Sequence, residues 1–341
     1  MNCLRLFWKK AGVSWNWRMN KEKRGRENGE IFLKRFGQML VVLFLVTFFV
    51  YLLLDLIPGD PVYAILGNKI RPEQYERVYK ELGLDKPFLV RYGEWLSGLV
   101  QGDFGRSIYY KVPVVELLAK RLPITFFINV IVMTISTSLG IWMGIISAVR
   151  RGSKVDNFIT VFSNIFACVP GFWIGIILVY FLAVKLQILP TMGFTWPWED
   201  FALSVRQLIM PILVGVLTSL SVMTRQTRSS MLEVVNQDYI RTARAKGMKE
   251  KDIIRKHAIR NALIPVITLM GIGIGFIFGG SPIIETVFSI PGMGNLLVSA
   301  IGNRDIPVVQ ACVFIMAAVI CMANMAVDIV YGLVDPRIRV K

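Results

Sequence analysis

Long apolar runs alternate with shorter charged segments along this chain of 341 residues. Six of the runs contain no Asp, Glu, Lys or Arg, and each is long enough to cross a bilayer as a helix. They are Phe36–Leu54, Leu122–Val149, Asn157–Val184, Gln207–Thr224, Ala262–Ile284 and Ile306–Val327. Because lipid offers the backbone no hydrogen-bond partner, each run is expected to be helical. The pattern predicts an all-α, polytopic membrane protein with six transmembrane helices.

These runs divide the chain into segments. They are a basic N-terminal segment (1–35), the first span (36–54), an external cap region (55–121), a core of five spans (122–327) containing a long loop (225–261), and a tail (328–341). The cap region is predicted to form short helices at Pro72–Leu82 and Leu89–Leu99, joined by a turn at Leu84–Pro87. In the third run, Pro170-Gly171 predicts a kinked or loosened helix.

Charge sets an expected orientation. Six spans leave both chain ends on one side, and the segments there carry 26 Lys/Arg against 10 Asp/Glu, whereas the opposite side carries 13 of each. The whole net charge of +16 therefore lies on the side of the termini, which the positive-inside rule makes cytoplasmic. These charges flank membrane spans and are not gathered on one soluble face, so a nucleic-acid partner is not expected.

The loop at 225–261 is a long charged segment, with ten Lys/Arg between Arg225 and Arg260. Its composition predicts two short helices separated at Gly247, a residue suited to a left-handed helix stop. Asp252 and Lys256 are spaced for an ion pair on the second helix. An apolar stripe is predicted on the first, formed by Met231, Val235, Tyr239 and Ala243. Charge alone leaves two interpretations open, a docking surface or a solvated positive loop.

The amino-acid sequence of this loop resembles that of a known protein family. From Gln237 to Pro265, QDYIRTARAKGMKEKDIIRKHAIRNALIP resembles the cytoplasmic loop of ABC-transporter permeases, most closely those that import dipeptides, oligopeptides and nickel. Many importer permeases open this motif with Glu-Ala-Ala, where this chain has Thr242-Ala243-Arg244, and place the proline nearer the glycine; the longer form is similar to the peptide branch. The strings LIPGDP, LGLDKP, GDFGRS, RLPIT and ETVFSIPGMG resemble the same family. The resemblance covers the chain from about residue 33 to its end.

The resemblance implies the type I ABC importer permease fold and a coupling helix that seats in a cleft of an ATP-binding subunit. In that role Ala243 and Ala245 offer a small surface, and Arg241, Arg244 and Lys246 pair with acidic residues. The implied coupling residues are Asp238, Arg241, Thr242, Ala243, Arg244, Ala245, Lys246 and Gly247. Those implied near the external gate or the binding protein are Glu285, Pro291, Gly292, Asp60 and Asp103. Glu285 fits a cap on a helix end equally well.

The resemblance implies a transporter complex in a bacterial cytoplasmic membrane, in contact with its lipids, with both termini of this chain in the cytoplasm. Its other parts are a second, homologous permease subunit, two cytoplasmic ATPases that bind ATP and magnesium, and an extracytoplasmic substrate-binding protein. Peptides are the expected cargo, and nickel chelates or oligosaccharides are the alternative. No cofactor is expected in this chain, because it lacks the phosphate-binding pattern G-x-x-x-x-G-K-[ST].

An ATP-independent secondary transporter or channel is the competing class. Such proteins usually carry charged residues at the bilayer midplane and internal repeats, and the six runs have neither feature. An enzyme is a weaker alternative, because His257 is the single histidine and the four cysteines show no C-x-x-C spacing. The coupling loop separates the classes, since only an ATPase-driven permease requires one.

Overall fold

The computed structural model describes residues 17–56, 62–63, 71–81, 83–279 and 282–334. Helices account for most of these residues. In chain order they are α1 (Trp17–Asp55), α2 (Pro72–Glu81), α3 (Phe88–Val100), α4 (Val114–Val149), α5 (Lys154–Cys168), α6 (Gly171–Leu178), α7 (Phe201–Val235), α8 (Asp238–Ala245), α9 (Glu250–Asp252), α10 (Ile259–Gly279), α11 (Pro282–Val287), α12 (Met293–Gly302) and α13 (Ile306–Val334). π-helical segments, Val179–Lys185 and Ile253–Ala258, continue α6 and α9. The predicted all-α class is confirmed.

The membrane-spanning helices differ in detail from the six predicted runs. Within the described residues four helices are long and apolar enough to cross a membrane, and a fifth crossing results if α5 and α6 form one bent span. The fifth predicted run, Ala262–Ile284, is divided, because α10 ends at Gly279 and α11 is a separate short helix. The two cap helices α2 and α3 lie close to their predicted positions, with a turn between them.

The third predicted run, Asn157–Val184, bends far more sharply than the kink that was predicted for it. α5 and α6 meet at 96°, and the break lies at Val169 and Pro170, both in extended conformation. Proline has no N–H and fixes its own φ, so the first helix stops there. The carbonyl of Pro170 then accepts from the N–H groups of Trp173 and Ile174, at 3.0 and 3.3 Å, which starts the next helix. The position of the predicted kink is confirmed, and its size was not foreseen.

Helices α4 and α7 pack closely because glycines face the contact. A Cβ placed on Gly140 would lie 2.5 Å from the Cβ of Met223, and one on Gly144 would lie 2.5 Å from the Cβ of Thr227. Only a residue without a side chain permits this approach, as at small-residue contacts in membrane proteins generally. The pair therefore forms a tightly joined unit at the centre of the bundle.

Three groups of buried apolar side chains lie along the bundle. The central cluster gathers around Met210, Val214 and Phe288, and the cap cluster around Val114, Met293 and Val308. The third, which we call the loop cluster, consists of Ala148, Met231, Ile240, Ala243, Ile253, Ala258 and Ala262. The loop cluster joins the ends of α4 and α7 to α8 and to the start of α10.

The cap helix α3 packs along the second half of α1. The hydroxyl groups of Tyr92 and Thr47 are hydrogen-bonded at 3.0 Å, and Arg91 pairs with Asp55 at 2.6 Å. Around them, aromatic rings of α1 contact the ring of Tyr92 edge-on; these rings belong to Phe44, Phe48 and Tyr51. α3 therefore braces the first span.

The close contact of α4 with α7 predicts opposite effects for the same substitution at two glycines. Gly144→Ala should lower stability by about 1–3 kcal/mol, because its Cβ overpacks the contact with Thr227. Gly37→Ala in α1 meets nothing within 4 Å and should be neutral or stabilising by up to about 1 kcal/mol. Thermal midpoints of the purified chains in detergent measure both. Equal midpoints for the two variants would contradict the packing described here.

Candidate functional site

Helix α8 is held to the bundle by two buried side chains. α7 continues to Val235 and ends at Asn236, Gln237 is extended, and α8 then begins in a new direction. Ile240 is 0% exposed and Ala243 8% exposed, and both lie in the loop cluster. The predicted apolar stripe is therefore wrong. Met231 and Val235 belong to α7, and Tyr239 on α8 is 44% exposed, because the four-residue apolar period runs across the end of one helix into the next.

The outer face of α8 is polar and cationic. Asp238, Arg241, Thr242 and Ala245 are exposed, and Lys246 follows them, also exposed. Arg241 makes only a long contact of 3.7 Å with Asp238, so its guanidinium is accessible. One sequence expectation needs correction here: Ala243 cannot enter a cleft in another protein, because it faces the loop cluster. Ala245 is the alanine that lies on the outer surface.

The turn after α8 is made by Gly247, whose φ of +74° lies in the left-handed region that was predicted for it. Arg244 reaches across this turn to Glu250, with nitrogen–oxygen distances of 2.7 and 3.2 Å. Hydrogen bonding from Arg244 lowers the pKa of Glu250, against a smaller opposing effect of desolvation. Arg244 therefore has a partner within its own chain, where the sequence suggested a partner in another subunit.

The π-helical segment Ile253–Ala258 sets the register of the following membrane helix. In an α-helix, residues five apart point about 140° away from each other. The wider π turn, bonded from i to i+5, brings Ile253 and Ala258 onto the same side, and both are buried in the loop cluster. Asp252 and Lys256 face outward at 3.5 Å, the ion pair that the spacing predicts. The sequence pattern did not predict this π-helical turn.

Behind the loop cluster lies an ion pair with a buried carboxylate that sequence reasoning missed. Asp156, at the start of α5, is 3% exposed and accepts hydrogen bonds from Arg228 on α7 at 2.8 and 3.0 Å. The same carboxylate accepts from the hydroxyl of Ser147 at the end of α4 and from the N–H of Gly152 at 2.9 Å. Only the charge signs were visible in the sequence, since 72 residues separate the partners.

At the other end of the bundle, Glu285 is the centre of a hydrogen-bonded group that we call the external hub, after the side predicted for it from the sequence. Its carboxylate is 4% exposed and accepts from the hydroxyl of Thr125 at 2.8 Å and from the N–H of Asn295 at 2.9 Å. The Thr125 hydroxyl also accepts from the N–H of Met293 at 2.8 Å. Glu285 thus holds the first turn of α12, the cap that the sequence left open as one alternative.

The loop before α12 fits tightly against this hub. A Cβ placed on Gly292 would lie 2.5 Å from both the carboxyl carbon of Glu285 and the hydroxyl oxygen of Thr125. Pro291 immediately precedes this glycine and is partly buried. The structure therefore brings three of the predicted external residues together. Asp60 lies outside the described residues.

Asp103 and Asp305 hold the loop that follows α3. Asp103 is exposed and makes a local turn, accepting from the N–H of Gly105 at 2.8 Å. Asp305, which the sequence did not single out, is fully buried and accepts from the hydroxyl of Ser107 and from the N–H groups of Ile108 and Tyr109, at 3.0 and 3.1 Å. Asp305 therefore ties the cap region to the start of α13.

Comparison with known proteins places this architecture in a family. Residues 140–340 match the family described as binding-protein-dependent transport system inner membrane component, and residues 30–129 match that described as the N-terminal part of such a component. The chain belongs to this family. It is thus a multi-pass inner-membrane permease of an ABC transporter, in which separate ATPase subunits hydrolyse ATP and a substrate-binding component works with the membrane part.

Several relatives of this permease match nearly end to end. The oligopeptide transport system permease protein AppB of Bacillus subtilis is 40% identical over 310 residues, which cover 90% of this chain and 98% of AppB. The dipeptide transport system permease protein DppB of Escherichia coli is 37% identical over 336 residues, covering 92% and 99%. A solved structure of the methionine ABC transporter MetNI, inward facing, aligns with a TM-score of 0.52 at 17% identity over 65% of this chain and 97% of that one, which shows a shared fold.

The candidate residues of the permease form two groups at opposite ends of the bundle. Those of α8 and its turn lie with the loop cluster, and Glu285, Pro291 and Gly292 lie at the external hub. Within the described residues, no three His, Cys, Asp or Glu side chains are grouped so as to hold a metal ion. What the arrangement offers is mechanical, an exposed polar surface that is rigidly joined to membrane helices.

Asp103 and Asp305, which both hold the loop after α3, should respond differently to truncation. Asp305→Ala leaves the buried hydroxyl of Ser107 and the partly buried N–H groups of Ile108 and Tyr109 without their acceptor, at a cost of about 1–3 kcal/mol for the buried donor. We expect a clearly lower thermal midpoint and faster proteolysis of the loop at 102–112. Asp103→Ala removes one exposed turn contact and should change either measurement little. Comparable losses in the two variants would show that Asp305 does not anchor the cap.

Proposed function

We propose that this chain is the translocating permease subunit of an ATP-driven importer of dipeptides or oligopeptides, working by alternating access. The names of the relatives support the cargo, since AppB is named for oligopeptide transport and DppB for dipeptide transport. The likeness extends over nine-tenths of the chain, so it includes the loop, the spans and the cap. Peptides are therefore preferred to nickel chelates or oligosaccharides.

In this proposal two related permease subunits line the pore as a heterodimer. Two ATPases bind at the side that carries residues 225–261 and both chain termini, which is the cytoplasm. A binding protein delivers peptide at the opposite side, where the cap region (55–121) and the external hub lie. The strong excess of Lys/Arg on the side of the termini supports this orientation.

The observation that carries the proposal is the two-sided character of α8. Its inner face, Ile240 and Ala243, is buried among side chains from α4, α7 and the start of α10, and its outer face is exposed and cationic. A protein that binds the outer face and moves must carry α8 with it. Because interiors are close-packed, the buried face transmits that displacement to the attached spans. ATP-driven closure of the paired ATPases supplies the displacement.

The external residues have a supporting role in this mechanism. Glu285, Pro291 and Gly292 fix the loop before α12 near the mouth of the pore, and Asp103 shapes the cap loop that faces the binding protein. Because Glu285 is buried and already accepts hydrogen bonds, it holds the gate segment in place and is not a contact for the cargo. The gate is expected to open as a unit with the hub intact.

Uptake by the complete complex tests the cargo and the energy source. The permease, its partner permease, the ATPases and the binding protein are reconstituted in lipid vesicles, with labelled dipeptides and oligopeptides on the binding-protein side. We expect peptide accumulation that requires ATP and the binding protein. Accumulation of a nickel chelate or an oligosaccharide in place of peptide would replace the cargo. Transport by this chain alone, without ATP, would overturn the proposal in favour of a secondary transporter.

The outer face of α8 gives a matched pair of charge reversals. Arg241→Glu should reduce peptide uptake about tenfold or more and reduce the ATPases that co-purify, because a charge-assisted contact contributes about 1.5–3 kcal/mol. Lys185→Glu reverses an exposed charge that lies outside the cap region and outside the loop at 225–261, and its ammonium group lies over the ring of Tyr180. Uptake should then stay near the wild-type rate. Normal uptake by Arg241→Glu at equal expression would count against α8 as the docking surface.

A further inference from the structure

The ion pair of Asp156, which is buried, and Arg228, which is partly buried, lies directly behind the residues that hold α8. Ser147, which donates to Asp156, is next to Ala148 of the loop cluster, and Arg228 precedes Met231 of that cluster by one helical turn. Arg228 Nε is shared between the carboxylate, at 2.8 Å, and the Ser147 hydroxyl, at 2.9 Å. The pair is therefore one layer removed from the residues that α8 contacts.

Through this pair α5 is fastened to its neighbours at its first turn. Asp156 is the third residue of α5, and Thr160, one turn later, also donates to its carboxylate at 3.3 Å. The cap residue of the helix, Ser153, accepts from the N–H of Asp156. The far end of α5 is the 96° break at Val169-Pro170. There a Cβ on Gly171 would lie 3.4 Å from Thr218, in the middle of α7.

The other helices in this region are joined differently. α4 and α7 are in glycine contact at Gly140 and Gly144, so they move together and cannot slide. α5 has no comparable glycine contact among the glycines that the structure describes. Its first turn is held by charge and hydrogen bonds. Opening the pair would leave a buried carboxylate unpaired, which is strongly unfavourable, so the joint is expected to stay closed while its neighbours move.

We propose that Asp156 and Arg228 are positioning residues that pass the displacement of α8 to the broken third span. This rests on the proposed function, in that α8 is moved by an ATPase. The displacement passes from the loop cluster to the ends of α4 and α7, then through the pair to α5, and so to the break in the membrane. Without the pair, α4 and α7 still move with α8, and α5 follows them only through the packing of Phe162 and Phe166 on the central cluster.

The test is the number of peptides imported for each ATP hydrolysed by the complete complex in lipid vesicles. Asp156→Asn keeps the size of the side chain and removes its charge. We expect the transport-to-ATP ratio to fall at least fivefold while ATP hydrolysis persists. Ser147→Ala, a milder change that leaves both charges, should lower the ratio about twofold. Glu199→Gln is the control, since it removes an exposed carboxylate that lies outside the cap region and outside the loop at 225–261, and its ratio should equal that of wild type.

A double variant separates coupling from folding. Asp156→Asn with Arg228→Gln leaves no unpaired charge, so it should fold better than Asp156→Asn and yet keep the same low ratio, because the joint is still missing. A purely structural role predicts the reverse: both rates fall with the amount of folded protein, the ratio stays constant, and the double variant recovers transport. That result, or an unchanged ratio in Asp156→Asn, would overturn the inference. If wild type shows no ATP-dependent import, the proposed function itself has failed.

Discussion

The burial of Ile240 and Ala243 in the loop cluster is the contact on which the rest of this permease depends. Burying an isoleucine side chain contributes about 1.5–3 kcal/mol. The exposed ion pairs around α8, between Arg241 and Asp238 and between Arg244 and Glu250, contribute at most about 1 kcal/mol each. The apolar contact therefore decides where α8 lies, and the charges stay available on its outer face. An exposed cationic surface and a buried apolar face are combined in eight residues.

Three buried carboxylates hold the bundle together where its helices break or connect. Asp156 ties α5 to α4 and α7, Glu285 ties the start of α12 to α4, and Asp305 ties the cap loop to α13. Each accepts hydrogen bonds from segments distant in the sequence. A buried carboxylate is costly unless it is fully bonded, so each junction has one strongly preferred geometry. These three junctions are in this way fixed as firmly as the helices that they join.

Much of the architecture could be predicted because the signal is local. An apolar run predicts a helix at its own position, and Pro170 predicts a break. Gly247 predicts a left-handed turn, and its φ is +74°. The family could be recognised because its motifs are continuous strings of residues, the longest of them in the loop at 225–261. The four-residue apolar period of Met231, Val235, Tyr239 and Ala243 led to the wrong prediction of one apolar stripe for a related reason. A period shows which residues are apolar, and it does not show that one helix carries them all.

The junctions could not be predicted, because their partners are far apart in the chain. Ser107 and Asp305 are separated by 198 residues, and Thr125 and Glu285 by 160. Their contacts exist only after the helices have packed. The sequence suggested a role for Glu285 at the gate or as a cap, and the packing brings its carboxylate to the first turn of α12. Ala243 was placed on the wrong face for the same reason, since its burial depends on Ala148, Ile253 and Ala258.

Cysteine labelling of α8 tests the central claim most directly. In a chain whose four native cysteines are replaced by alanine, Ala245→Cys lies on the outer face and Ala243→Cys in the loop cluster. With the permease alone in inverted membrane vesicles, a membrane-impermeant maleimide should label Cys at 245 and spare Cys at 243. Assembly with the ATPases should then protect position 245. Equal labelling of the two positions, or full labelling of position 245 in a complex that imports peptide, would contradict the account.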